Sequence, residues 1–433
     1  MANYFGTDGV RGEYGKNLTT DLAFSVGNAL SQIKTKPKVL IGHDTRVSAD
    51  ALKLAVSLGI VQGGGTVVDV GIIPTAGVSF LTKTEHCDFG VVITASHNPP
   101  NCNGIKVFGA DGKKISDTDE EFLEEFFKNT YTCQRCGKFI KKDSLKNKYI
   151  NHLKNCTSIS FENMHICLDA SNGASFSVAP KVFRAKKANI ECFSCKNNGA
   201  KINIDCGSLN PQILQKHVLK TKAEVGFAFD GDADRVIAVS KSGKIFDGDK
   251  LLYILATHLK EKGELYANSV VGTSHTNSGI MVALNKHKIN LIRTDIGDKY
   301  VIEAMEKMNL VLGGEQSGHI IIKAHSQTGD GILTALKICE IMKETGKSLD
   351  QLFDAKLIPQ INANMPVKDK IKVINNEELK NLISDISNKI APAGRILVRA
   401  SGTEEKVRIM VEYTDEKKAQ EYLCQIQNKI ETI

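Results

Sequence analysis

No stretch of this 433-residue chain comes near the roughly 18 unbroken apolar residues of a membrane-spanning helix. Its opening, MANYFGTDGVRG, lacks an apolar segment behind a basic start, so no secretory leader is read there. A cytoplasmic protein with no membrane partner is expected. Nor do the 11 cysteines form an even framework; scattered through a long chain, they read as reduced thiols. Two pairs, Cys133/Cys136 and Cys192/Cys195, have the C-x-x-C spacing of a zinc half-site. They lie far apart in different expected elements and neither is set in a zinc-ribbon context, so no four-thiolate site is expected. The longest basic cluster, KFIKKDSLKNK at 138–148, has no aromatic residues at stacking spacing, which reads as a solvated helix face rather than a nucleic-acid patch. The net charge of +7 is spread along the chain and suits an anionic small substrate.

What is present is the composition of a soluble globular protein, 42% apolar and 24% charged, at a length that calls for about three domains. Short apolar runs alternate with helical periods. KVLIG ends at His43–Asp44; Ala51, Leu54, Ala55 and Leu58 follow at i, i+3, i+4 and i+7; TVVDV reads as the next strand. Such alternation predicts βαβ units and a parallel sheet with helices on both faces. The unit recurs at MHICLDASNGA and SVVGTSHTNSG, and three strands empty into loops of special chemistry: FGVVITASHNP, VGFAFDGDADR and LVLGGEQSGH. We read three similar α/β domains, over residues 1–152, 153–248 and 249–363. Each offers a loop at the carboxyl end of a strand, where ligands of open α/β sheets bind, so the three loops are expected to converge on one cleft. Beyond NANMPV the rhythm changes to a helix around NEELKNLISDISNKI, the strands GRILVRAS and KVRIMVEY, and a closing helix from Glu416. Residues 364–433 are therefore expected to form a smaller α+β domain with an antiparallel sheet.

DGDADR at 230–235 places carboxylates on Asp230, Asp232 and Asp234 directly after the apolar VGFAF. Three mutually repelling carboxylates at a buried strand end are tolerable around a hard divalent cation, and magnesium suits so small a site. An EF-hand is excluded, because counting from Asp230 puts Arg235 at position six instead of glycine and Lys241 at position twelve instead of glutamate. GGEQSGH sets Glu315 and Ser317 in a glycine-rich turn, groups that pair with vicinal sugar hydroxyls. RASGTEE offers Ser401, Gly402 and Thr403 between Arg399 and Arg408, the hydroxyls, amides and guanidinium of a phosphate cradle. Taken singly, both also read as ordinary turns. TASHNPPN puts Ser96 beside His97, yet no G-x-S-x-G elbow surrounds the serine and neighbours in an extended chain point to opposite sides. In company with a metal loop, Ser96 reads as the nucleophile of a phosphoryl transfer, its oxygen or phosphoryl group a metal ligand. Lys106 then supplies positive charge or acts as general acid/base, unless it is a surface lysine flanking a strand.

In this order and at this spacing, TASHNP, DGDADR, GEQSGH and SGTE resemble the α-D-phosphohexomutase family along nearly the whole chain. FGTDGVRG and Gln316, where methionine is usual in the phosphomannose and phosphoglucose branch, resemble the branch acting on glucosamine phosphates. The resemblance implies an isomerase with three similar mixed-sheet α/β domains and a smaller C-terminal α+β domain around a central cleft. It would reversibly interconvert glucosamine 6-phosphate and glucosamine 1-phosphate through a bisphosphate, feeding UDP-N-acetylglucosamine and peptidoglycan precursor synthesis. Ser96 would carry the phosphoryl group, and Asp230, Asp232 and Asp234 would bind Mg2+ with the phosphoserine. Arg11, Lys106 and His97 are expected beside it, His97 as a phosphate neighbour rather than a base. Glu315 and Ser317 would take sugar hydroxyls, while Arg399, Ser401, Gly402 and Thr403 take the non-transferring phosphate; Arg235, His319 and Arg408 complete the expected substrate contacts. A sugar 1,6-bisphosphate is the implied activator and a small sugar phosphate the implied partner, with no nucleic acid. Glu405 stands where proline is more usual and Ala233 where glycine is, and neither change removes a ligand. Rival readings are a preference for mannose or glucose phosphates and a sugar-phosphate binding protein without chemistry. The sequence leaves the oligomeric state open, a homodimer included.

Overall fold

The structure, a computed structural model, describes residues 4–6, 8–128, 130–134, 136–401 and 405–433. Their strands assemble into sheets of seven, five, four and three strands. In the first, Phe89–Ile93, Lys38–His43 and Thr66–Ile72 run parallel, as their near-continuous apolar runs require of strands buried on both faces. Helices Thr20–Ile33 and Ala49–Gln62 pack tightly against each other, because a Cβ on Gly27 would stand 2.0 Å from Val56 O. Val26, Leu30, Leu52 and Val56 meet Val39, Ile41, Val91 and Ile93 in one core. Each such side chain contributes about 1.5–3 kcal/mol on burial.

The first three sheets are mixed, as the family resemblance implied, and not parallel throughout as the alternating periods alone predicted. In each, the strand carrying a motif is followed without a helix by an antiparallel neighbour: Phe89–Ile93 by Cys102–Gly109, Val225–Phe229 by Val236–Ser240, and Leu312–Gly314 by Ile320–Ile322. A parallel return needs a crossover of a dozen or more residues. The loops at 94–101, 230–235 and 315–319 are too short for one and fold back. Each motif is thus the tip of a hairpin, anchored by a ladder on both sides. The basic cluster at 138–148 also departs from expectation. It opens as the strand Lys138–Lys141, at the margin of the first sheet, and only its end enters the helix Lys146–Asn155. Lysines at a sheet edge discourage pairing with another chain.

Residues 1–276 and 284–354 make one compact unit, and residues 277–283 and 355–433 another. In the second, Gln360–Pro366, Lys406–Tyr413 and Gly394–Ala400 form an antiparallel sheet. Helices Glu377–Ile390 and Glu416–Glu431 supply Leu379, Ile386, Leu423 and Ile426 to a core with Val407, Ile409 and Val411. This is the α+β arrangement read from the sequence. Among the described residues no helix is long and apolar enough to cross a membrane.

Candidate active site at three hairpin tips

Ser96 is fully buried with φ at +51°, a left-handed conformation that costs a non-glycine residue about 1 kcal/mol and needs external support. The support is specific. Ser96 N–H donates to Thr94 Oγ1 at 3.0 Å. Its carbonyl accepts from Arg46 Nη2 at 3.0 Å and from Asn203 Nδ2 at 2.8 Å. The Arg46 guanidinium also donates to Asn98 O, Cys102 O and Pro99 O, and it is held in turn by Asp44 Oδ2, 3.0 Å from Nε. Asp44, Arg46 and Asn203 therefore fix the loop through its backbone, a role the sequence reading did not assign them.

Ser96 Oγ donates to Asp230 Oδ2 at 2.5 Å, whereas His97 Nδ1 lies 3.4 Å away. Burial, with Arg235 and Arg11 nearby, pushes the His97 imidazole down to about 3. It is neutral and a poor proton acceptor at neutral pH, which removes the Ser–His dyad. The hairpin tips meet closely at Gly231, where a Cβ would stand 2.5 Å from Ser96 O.

Asp230, Asp232 and Asp234 are buried with carboxylate oxygens within 4.8 Å of one another. Lys106 Nζ, on the strand Cys102–Gly109, sits 3.0 Å from both Asp232 Oδ2 and Asp234 Oδ2 and 3.1 Å from Asp8. Thr75 Oγ1 donates to Asp232 Oδ2 at 2.6 Å. Burial and the other two aspartates push Asp230 well above the usual carboxylate range. Burial opposes the charge of Asp234 too, but Lys106 draws it well below. Burial likewise opposes the Lys106 ammonium, and Asp232, Asp234 and Asp8 outweigh it and raise Lys106 well above its ordinary value. Asp232 Oδ1 and Asp234 Oδ1 are buried without a hydrogen-bond partner. Hard anionic oxygens left unsatisfied beside each other fit a divalent cation, magnesium included. Among the described residues this is the one group of three or more carboxylate, histidine or cysteine donors gathered closely enough to hold a metal.

The third tip joins the same site. Arg235 N–H donates to Asp230 Oδ1 at 3.2 Å, and Arg235 pairs with His319 across an antiparallel bridge. His319 Nδ1 lies 3.7 Å from Asp234 Oδ2, and its Nε2 accepts from Gly329 N–H at 3.1 Å. Burial disfavours the His319 cation, and Asp234 more than offsets this, raising it to about 9. The Gly329 bond nonetheless needs a lone pair on Nε2, so in this arrangement the proton stays on Nδ1, facing Asp234. Glu315 is buried, raised by that burial, and accepts from Gly297 N–H at 3.0 Å. Ser317 Oγ is buried without a hydrogen-bond partner. Arg11 pairs with Asp8.

Arg399, Ser401 and Arg408 belong to the second unit. Arg399 and Arg408 stand directly opposite each other on adjacent strands, like charges that destabilise a sheet unless an anion lies near. Ser401 is buried, its N–H donating to Lys406 O at 2.8 Å. Gly402 and Thr403 lie outside the described residues.

Three hairpin tips thus gather a serine, an aspartate triad and a carboxylate–hydroxyl turn at one place. Family models of phosphoglucomutase/phosphomannomutase match in succession: alpha/beta/alpha domain I at residues 2–133, domain II at 147–243, domain III at 247–358 and the C-terminal domain at 361–429. The chain belongs to this family. Among its relatives, the phosphoglucosamine mutase of Shouchella clausii is 44% identical, covering 98% of each chain. That of Clostridium acetobutylicum is 41% identical over 96% of each. A phosphoglucomutase/phosphomannomutase family protein from Burkholderia thailandensis shares the fold at a TM-score of 0.83 and 23% identity, over 100% of this chain and 98% of that one. Aspergillus fumigatus N-acetylphosphoglucosamine mutase, solved with GlcNAc-6P and magnesium, does so at 0.71 and 16%, over 99% and 95%.

Proposed function

We propose that this chain is a phosphoglucosamine mutase, an isomerase that interconverts glucosamine 6-phosphate and glucosamine 1-phosphate by way of phosphorylated Ser96. The observation that carries the reading is a buried Ser96 Oγ 2.5 Å from Asp230, at a tip shared with the aspartate triad and the Lys106 ammonium. The names of the relatives that span the whole chain support the choice of sugar.

Ser96 gives its phosphoryl group to the free sugar hydroxyl; the P–Oγ bond breaks, the P–O bond to the sugar forms and the hydroxyl proton ends on Ser96 Oγ, which leaves as a neutral hydroxyl. The resulting bisphosphate reorients and returns its other phosphoryl group to Ser96 Oγ. Asp230, Asp232 and Asp234 would hold Mg2+, which when bound offsets charge on the group in transfer. Lys106, within 3.0–3.1 Å of three carboxylates, contributes charge there or relays the proton as general acid/base. Arg11 and Arg235 add positive charge, and His97 offers a neutral hydrogen bond. Glu315, Ser317 and His319 face the sugar, and Arg399, Ser401 and Arg408, with Gly402 and Thr403, take the passive phosphate. Domain boundaries after 152, 248 and 363, a sugar 1,6-bisphosphate activator and a cytoplasmic location belong to the same proposal, which leaves the oligomeric state open.

The test compares turnover of glucosamine, mannose and glucose 6-phosphates with Mg2+ and a sugar bisphosphate present. Preference for the glucosamine compound is expected. Faster turnover of either other sugar would overturn the substrate assignment.

A further inference from the structure

The mutase reading leaves the Cys192/Cys195 pair without a task. Cys192 lies on the strand Asn189–Phe193, and the chain then turns sharply at Ser194, where φ is +43°. The turn brings Cys195 back so that both thiols line the same pocket. Cys195 Sγ also donates to Phe176 O at 3.1 Å. Both cysteines are partly exposed and line an open pocket of about 320 Å3 together with Phe176, Arg184 and Lys196. No third metal donor joins them among the described residues, so the pair is not built as a metal site.

We propose that Cys192 and Cys195 form a redox-active dithiol that exchanges with small disulfides bearing carboxylates. The neighbouring Cys195 thiol pulls the Cys192 thiol down to about 7, against burial and with help from Arg184. Cys195 is raised by its neighbour Cys192 and by burial. By contrast, burial pushes Cys87 and Cys206 to about 11 and Cys156 to about 12. At pH 7 a thiol at 7 is half thiolate, about 50 times the fraction of a thiol at 9; the lower basicity weakens each thiolate roughly eightfold, leaving about a sixfold advantage. Arg184 and Lys196 supply the positive charge that favours a carboxylate-bearing reagent over a cationic one.

The Cys192 thiolate attacks one sulfur of R–S–S–R, forming Cys192–S–S–R and releasing RS⁻, which takes up a proton. Cys195 then loses its proton and attacks Cys192 Sγ, forming the Cys192–Cys195 disulfide and expelling the second RS⁻. Two thiols are oxidised and one external disulfide is reduced to two thiols, so the electrons balance.

Reduced full-length protein should be exposed at pH 7 to oxidised glutathione and, separately, to cationic cystamine, with products mapped by intact and peptide mass. With oxidised glutathione the wild type is expected to lose two hydrogens at the 192/195 pair. Cys195→Ser should stall as the Cys192 glutathione adduct, and Cys192→Ser should yield neither product at the pair. Cystamine should react there severalfold more slowly. The proposal is overturned if the wild-type pair stays reduced while other cysteines react, if the Cys195→Ser adduct lies elsewhere, or if cystamine matches oxidised glutathione.

Discussion

Replacing Arg46 by methionine keeps much of its volume and removes the guanidinium that holds Ser96 O, Asn98 O and Cys102 O. It also strands Asp44, which is fully buried and left with Thr94 Oγ1 at 2.7 Å and a backbone N–H at 2.9 Å. Burial already raises Asp44 even with Arg46 opposing, so the variant's cheapest course is to fold with that carboxyl protonated. Starting from an unfolded value near 3.9, this costs up to about 4 kcal/mol at pH 7 but only about 1.5 kcal/mol at pH 5. The readout should be local, since a chain of several domains need not unfold in one step. Hydrogen exchange at the amides of Ser96, Asn98 and Cys102, bonded at 3.0–3.1 Å in the native loop, reports its opening. Against wild type at the same pH, exchange should accelerate up to about a thousandfold at pH 7 and about tenfold at pH 5. Equal acceleration at both pH values, or less than tenfold at pH 7, would refute the argument that Arg46 holds the loop by neutralising Asp44.

Asp232→Asn removes one charge from the triad and should raise the Mg2+ concentration for half-maximal turnover about tenfold or more; an unchanged magnesium titration would count against the metal site. Glu120, 3% exposed with Oε1 lacking a hydrogen-bond partner, is lifted by burial to about 7 despite Lys114. Because its folded value exceeds the unfolded one, the neutral form stabilises the fold at low pH, and up to about 3 kcal/mol is lost as pH rises from about 4.5 to 7. Glu120→Gln should therefore gain on wild type in melting temperature between pH 5 and pH 8, whereas parallel pH profiles would contradict the burial argument.

Much of the chemistry was legible because it is local. VGFAF followed at once by DGDADR announces both a buried strand and carboxylates at its end, and Ser96 lies within the loop TASHNPPN and Lys106 five residues beyond it. The return direction of the next strands was equally available: GIKVF and VIAVS follow their motifs too closely for a crossover, but alternation of strand and helix periods elsewhere suggested parallel sheets. Arg46 was not legible. It grips carbonyls, which any residue possesses, and its bond to Ser96 spans 50 positions, so HDTR at 43–46 reads only as a strand end. Asn203, reaching Ser96 O from 107 positions away, leaves no pattern for the same reason. GEQSGH stays ambiguous in one dimension because Glu315 and Ser317 acquire meaning only when Arg235 and His319 bridge their loop to the aspartates.

The central claim is that Ser96 carries the phosphoryl group between two positions of glucosamine phosphate. Its most direct test is conversion of glucosamine 6-phosphate to glucosamine 1-phosphate by Ser96→Ala beside wild type, with Mg2+ and a sugar bisphosphate supplied to both. The account predicts turnover by wild type and none above background by a folded Ser96→Ala protein. Substantial mutase activity in that variant would contradict it.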